Sequence, residues 1–266
     1  MNKPFWGCEI QRINASWSHQ HSILHDISHR IDPEHQNMWP LVGTSGGGKS
    51  TLLYLLSATK WPDQGTISWR FPGDTPGTVS PSYTWGPNGH GLSAKNLVQM
   101  RQRYFGFAFQ DSTLLPHLLV QENLIYPLHL RGIAHKKAVN IAQQRIETVG
   151  LDKKFLHRFP HELSGGERQR VALVQALIHD PCVVFADEPT GSLDPETRHA
   201  VMNVLSNWVG EDGTTRCLIW VTHHTSNPND PDLCAVEKRL RIDTGRLYQE
   251  CKSTDAQGQT HWKEEK

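Results

Sequence analysis

The run Gly43-Thr44-Ser45-Gly46-Gly47-Gly48-Lys49-Ser50-Thr51 combines residue types suited to holding a polyphosphate. Glycines let successive backbone N–H groups curl around an anion with no Cβ in the way. Lys49 has the charge and reach for β- and γ-phosphates, and the Ser50 hydroxyl suits Mg2+. A second string, Val183-Val184-Phe185-Ala186-Asp187-Glu188, is an apolar strand ending in two carboxylates. At the C-terminal end of a parallel strand both would face a nucleotide crevice. There Asp187 suits Mg2+ through a bound water, and Glu188 suits polarising an attacking water. A solvated Asp-Glu turn is the plainer reading of that pair, and the neighbouring phosphate loop weakens it. A third string, Leu163-Ser164-Gly165-Gly166-Glu167-Arg168-Gln169-Arg170, places a hydroxyl and bare amides at a helix start, a second anion-binding end.

These groups need elements that aim them. Leu41 and Val42 end an apolar approach to the glycine loop, and Leu52, Leu53, Leu55 and Leu56 continue beyond it as a helix. Pro40 sits in that approach, so either the strand starts at Leu41 or a bulge absorbs the proline. Thr66 to Phe71 alternates as a half-buried strand, and Phe105, Phe107 and Phe109 repeat the pattern. Ala138, Ile141, Ala142, Ile146 and Val149 fall at helical spacing, with Gly150 as the stop. Another helix starts near Gly166 and is ended by Pro181. The apolar runs Val183–Ala186 and Leu218–Val221 alternate with helical patterns, which indicates a parallel sheet covered on both faces. Pro72 to Asn88 reads as a surface loop or loose hairpin excursion, and residues 252–266 as a frayed polar tail.

The chain has 266 residues, enough for a sizeable core, and 27 Lys+Arg against 27 Asp+Glu. That balance argues against a broad grip on nucleic acid or anionic lipid. No apolar stretch approaches the ~18 residues of a membrane span. Met1 to Cys8 lacks the apolar run of a secretory signal or of a lipidation site at Cys8. Five cysteines without a CxxC pair fit free thiols in a reducing compartment, with Cys182 and Cys217 in the core. His19, His21, His25 and His29 cluster without ligand-spaced partners and read as a solvated face rather than a metal site.

Over roughly residues 9–250 the sequence resembles the ATP-binding subunits of ABC transporters. The phosphate loop and the LSGGERQR string carry the resemblance. Phe109-Gln110 looks like the family's Q-loop, and Ala186 to Thr190 like its Walker B strand. Ser192-Leu193-Asp194 looks like the D-loop, Val221-Thr222-His223 like the switch histidine, and Trp17 stands at the adenine-stacking position. Local wording is similar to the lipoprotein-releasing and macrolide-exporter branch, which includes the cell-division ATPase paired with an FtsX-type membrane protein.

The resemblance implies an α/β fold: a P-loop NTPase core with a mainly parallel sheet, a peripheral antiparallel β region and an inserted helical subdomain. Residues 1–110 and 172–251 would form the core and 111–171 the helical insert. ATP and Mg2+ would be the ligands. Gly43 to Thr51 would hold the phosphates, and Ser50, Gln110 and Asp187 the metal. Glu188 would be the general base, His223 would steady the γ-phosphate, and Trp17 would stack on adenine. Ser164, Gly165 and Gly166 would serve the ATP of a second copy in a head-to-tail homodimer, with Asp194 crossing the seam. A membrane permease would dock beside Gln110, with Leu114 to Leu119 as a candidate contact, at the inner face of the cell membrane. The work done would be substrate movement or, in a second reading, signalling to a membrane partner without transport. Four departures stand out: Pro40 in the strand feeding the phosphate loop, a Pro72 to Asn88 segment longer than the family's usual turn, His224 where an acidic residue is common, and Ser226 to Pro231 where a helix is expected.

Overall fold

The computed structural model describes residues 6–18, 21–73, 75, 78–109, 113–191, 193–211, 216–223, 227–228, 230–233, 235–255 and 259–265. Alternation in the first third of the chain builds one antiparallel sheet. Its strands are Gly7–Ser18 (β1), His21–Ile31 (β2), Gln64–Arg70 (β4) and Tyr83–Trp85 (β5), in the order β2-β1-β4-β5. Ile67, Trp69 and Phe71 point inward, as the period-2 pattern requires. The Pro72–Asn88 excursion is a hairpin: Pro72 bridges Val79, and β5 returns alongside β4 with Trp85 fully buried.

The second sheet contains Met38–Gly43 (β3), Phe105–Phe109 (β6), Val183–Asp187 (β7), Cys217–Val221 (β8), Lys238–Asp243 (β9), Arg246–Thr254 (β10) and Thr260–Glu264 (β11). Their order is β11-β10-β9-β3-β8-β7-β6. The pairs from β9 through β6 are parallel, and β10 and β11 close the sheet antiparallel. All five residues of β7 and of β8 are buried, which explains their unbroken apolar runs.

Helices Lys49–Leu56 (α1) and Ala94–Tyr104 (α2) lie in the first part of the chain. The core between the two sheets includes α1 together with Trp69, Phe71, Phe105 and Phe185. Their rings interlock edge-on or stacked at 4.9–6.2 Å, while the Trp69 indole donates to Leu56 O at 2.9 Å. Between β6 and β7 the chain inserts Val120–Leu130 (α3), His135–Glu147 (α4) and Gly165–Leu177 (α5) around a core of their own. Pro195–Glu211 (α6) covers the opposite face of the parallel sheet. The expected boundary at 171/172 falls inside α5. Val171, Ala172 and Val174 pack into the helical core, whereas Leu173, Ala176 and Leu177 pack on the sheet.

Expectations at Pro40 and at the C-terminal tail are corrected. Pro40 neither delays β3 nor forces a bulge, since Met38 to Leu41 pair in unbroken register with Leu218 to Val221. Leu218 N–H donates to Asn37 O and Thr222 N–H to Leu41 O, so odd-numbered groups of β3 face β8. The amide-less Pro40 nitrogen therefore faces β9. There the Gln36 side-chain amide donates to Lys238 O at 2.9 Å and to Met38 O at 2.6 Å. It serves the Lys238 carbonyl that a backbone N–H at position 40 would have served. The expected frayed tail instead contains β11. Trp262 packs against the sheet-side core with the Arg239 guanidinium 4.3 Å from its ring, and Lys238 pairs with Glu265 at 2.9 Å.

Of the histidines grouped near the start, His29 departs from the solvated reading. Its ring lies edge-on to Trp39 at 5.8 Å, and burial pushes its pKa from the ordinary 6.5 down to about 4, with Glu265 pulling the other way. Four free cysteines occur among the described residues, with Cys217 fully buried and Cys182 partly so.

Candidate functional site

The glycine loop leaves β3 and enters α1 where the two sheets meet. Gly48 is the α1 N-cap at φ 105°, and a Cβ there would lie 2.6 Å from the Leu24 side chain. A Cβ on Gly43 would lie 2.1 Å from Ile242 O, so only glycine lets the loop run this close to β9. Lys49 is 5% exposed, and its ammonium donates to Gly43 O at 3.1 Å and Thr44 O at 2.9 Å. Desolvation lowers the Lys49 pKa, and the Glu188 and Asp187 charges oppose that shift.

Asp187 ends β7 directly opposite this helix start. Its Oδ1 accepts from Ser50 Oγ at 3.1 Å and its Oδ2 from Tyr54 Oη at 2.9 Å. Burial raises the Asp187 pKa, while the two hydroxyl donors lower it. The Tyr54 phenol is pushed up to about 12, by desolvation first and then by Asp187. Ser50 and Tyr54 are four residues apart on one face of α1, a spacing that could have flagged Tyr54 from the sequence. A hydroxyl and a carboxylate side by side are hard oxygen donors, matching Mg2+ shared with phosphate oxygens rather than an all-protein cage. No group of three or more His, Cys, Asp or Glu side chains arranged for a metal occurs among the described residues.

Glu188 follows at φ 50°, in the left-handed region that a side chain seldom occupies. Its N–H donates to Val221 O at 3.2 Å, and its carboxylate contacts His223 Nε2. Together with Trp17, Ser45, Gly46 and the start of α1, Glu188 and His223 line one cleft of about 300 Å3. Trp17 is 60% exposed on β1; its indole donates to Thr51 Oγ1 at 2.9 Å, and Lys60 lies 4.9 Å from its ring. Its ring is therefore held at the loop's edge and open to solvent.

Ser164 caps α5 as expected. Its hydroxyl accepts from Glu167 N–H at 3.2 Å, and Glu167 in turn accepts from Ser164 N–H at 2.7 Å. That backbone bond is the main cause of the lowered Glu167 pKa. Ser164 and Gly165 are exposed, and a Cβ on Gly165 would meet open space. None of Ser164, Gly165 and Gly166 lines the phosphate-loop cleft of this chain. Gly166 instead neighbours Leu193 and Thr197, so the α5 start lies beside the α6 start. Asp194 caps α6, accepting from the backbone N–H groups of Glu196 and Thr197 at 3.1 and 3.0 Å. Gln110, Ser192, His224 and Ser226 lie outside the described residues.

Beside Phe109 an apolar groove of about 400 Å3 opens between α2, β6, α3 and α5, lined in part by Phe107, Pro127 and Leu130. Leu114, at the start of the candidate contact stretch, is buried, whereas Leu115 is exposed. The fully buried Asn123 amide bonds the backbone of Leu115, Leu118 and Leu119 at 2.7–3.1 Å, which fixes that stretch in place.

Residues 24–191 match the ABC transporter family. The lipoprotein-releasing system ATP-binding protein LolD of Bordetella pertussis is 38% identical over 226 residues, covering 85% of this chain and 87% of that protein. The ABC transporter ATP-binding protein YtrE of Bacillus subtilis is 39% identical over 183 residues, covering 69% and 71%. A solved dimeric bacterial ABC transporter cassette superposes with a TM-score of 0.75 at 25% identity, covering 92% of this chain and 98% of that one.

Proposed function

The chain belongs to the ABC transporter family, among its ATP-binding subunits, and from that premise we propose that it hydrolyses ATP to drive a separate membrane permease through ATP-dependent homodimerisation. The observation that carries the reading is the cleft joining the glycine loop, Lys49 and Ser50 to Glu188 and His223. Loop amides, the α1 N-terminus and Lys49 bind the phosphates. Trp17 offers its exposed ring to the base, and Ser50 and Asp187, together with Gln110, would hold Mg2+. When bound, Mg2+ neutralises charge developing on the phosphate oxygens. Glu188 takes a proton from the attacking water as its oxygen bonds to the γ-phosphorus. The bond from that phosphorus to the bridging oxygen of ADP breaks. His223, already against Glu188, holds the carboxylate and γ-phosphate in register.

The exposed Ser164 and Gly165 support a dimeric site, because they lie outside this chain's own cleft and are free to meet the nucleotide of a second copy. ATP would then supply the negative charge that both helix starts favour, and phosphate release would part the halves. The groove beside Phe109 is the proposed seat for a cytoplasmic helix of the permease, with the exposed Leu130 and Tyr126 nearby on α3. No helix among the described residues is long and apolar enough to cross a membrane; the proposed location, at the inner face of the membrane, follows from the proposed permease. Similarity to LolD favours transport or extraction over signalling without transport. Light scattering on Glu188→Gln tests the scheme. It is expected to dimerise at saturating Mg-ATP while turnover falls at least ~100-fold. A monomer under those conditions, with the permease present, would refute it.

A further inference from the structure

Asp232 has a side chain with no solvent exposure, yet it belongs to the turns that follow His223 rather than to a core element. Its Oδ2 accepts from Thr190 Oγ1 at 2.9 Å and from Thr222 Oγ1 at 2.8 Å. Its Oδ1 accepts from Arg198 Nε at 2.9 Å. Asp230 supports it, accepting from Asp232 N–H at 3.0 Å and also meeting the Arg198 guanidinium. Asp230, inside the stretch where a helix was expected, and Asp232, just past it, thus both turn toward Arg198.

Each donor to Asp232 stands in a different part of the hydrolytic apparatus. Thr190 is two residues past Glu188. Thr222 immediately precedes His223. Arg198 lies in the first turn of α6, the helix capped by Asp194. A buried carboxylate is tolerated when every lone pair is met and a cation is near. Arg198 alone would supply the cation. The two threonine hydroxyls add directional bonds to the residues that flank the paired Glu188 and His223. Glu188 needs such support, since its left-handed backbone persists only where its surroundings over-determine it.

We infer that Asp232 is a positioning residue: one buried carboxylate that locks the loop bearing His223 to the strand end bearing Glu188, and both to the helix behind Asp194. The inference rests on the hydrolytic reading above and deepens it. Movement of Asp194 at the dimer seam would reach the Glu188–His223 pair through Arg198 and Asp232, by a path of hydrogen bonds rather than through the nucleotide.

The test uses Thr222→Val in the full chain, with Thr222→Ser as the conservative rescue. Valine keeps the buried shape and leaves the Asp232–Arg198 pair intact, so the fold is retained. Three quantities are read: ATP turnover, affinity for a fluorescent ATP analogue, and hydrogen exchange of the Thr222 amide, which bonds Leu41 O at 3.1 Å. Thr222→Val is expected to lose about 10-fold in kcat with affinity within about 2-fold, and to exchange faster at Thr222. Thr222→Ser is expected to match the parent in all three. Parent-like turnover and exchange in Thr222→Val would overturn the inference, as would a serine variant as impaired as the valine one. A parent chain without ATP turnover would sink the hydrolytic reading by itself. The exchange arm would then still support the anchor if valine loosens Thr222, and overturn it if it does not.

Discussion

The side chain of Gln36 stands in for a backbone group that Pro40 lacks, and removing it measures that substitution. Gln36→Ala deletes two hydrogen bonds, at 2.6 and 2.9 Å, to the carbonyls of Met38 and Lys238. At about 1 kcal/mol net for each bond, the loss is about 2 kcal/mol. For a chain of this size that corresponds to a melting point lowered by roughly 4–8 °C. Pro40→Ala restores an N–H aimed at β9, where Lys238 O is the partner left by the register of β3. In that background Gln36→Ala is expected to cost about 1 kcal/mol, a coupling of about 1 kcal/mol in the double-mutant cycle. Urea midpoints of the four proteins give this number. Equal costs in both backgrounds, or a single-variant cost below ~0.5 kcal/mol, would refute the substitution.

Lys49→Ala removes the ammonium that bonds the loop carbonyls; nucleotide affinity measured by fluorescence titration is expected to fall about 100-fold, and unchanged binding would count against the phosphate-loop reading. His29 supplies a pH dependence of defined sign. The folded chain keeps its imidazole neutral to about 4, whereas the unfolded chain protonates it near 6.5. The unfolded state therefore takes up the proton first, and stability present above pH 6.5 is lost as pH falls toward 4, by up to about 3 kcal/mol. His29→Gln should flatten that limb of the stability curve, and parallel curves for the two proteins would exclude the assignment. Truncation after Thr254 removes β11 with Trp262 and the Lys238–Glu265 pair; urea unfolding is expected to show a loss of about 2 kcal/mol, and an unchanged midpoint would mean the strand contributes nothing.

Much of the apparatus was readable because its physics is local. The glycine loop declares itself through residue types within a few positions, and β7 and β8 through runs buried on both faces. The α5 start was legible from Ser164 and its two glycines, and the capping box that Ser164 forms with Glu167 is complete within four residues. What escaped depends on partners far along the chain. Pro40 looked disruptive because the compensating bond to Lys238 spans 202 positions. Residues 260–264 looked frayed because a polar strand becomes a strand only when β10 offers its edge. Asp232 gave no signal, since its partners lie 10, 34 and 42 positions away.

The left-handed backbone of Glu188 sets durability against work at a single position. Glycine would relax there, relieving about 1 kcal/mol, yet it would erase the carboxylate next to His223. Enrichment of a mutant library for heat resistance alone would therefore drift toward inert chains at this codon, whereas enrichment for turnover would retain a tense one. The strained residue is thus a place where the two pressures can be told apart by sequencing the survivors.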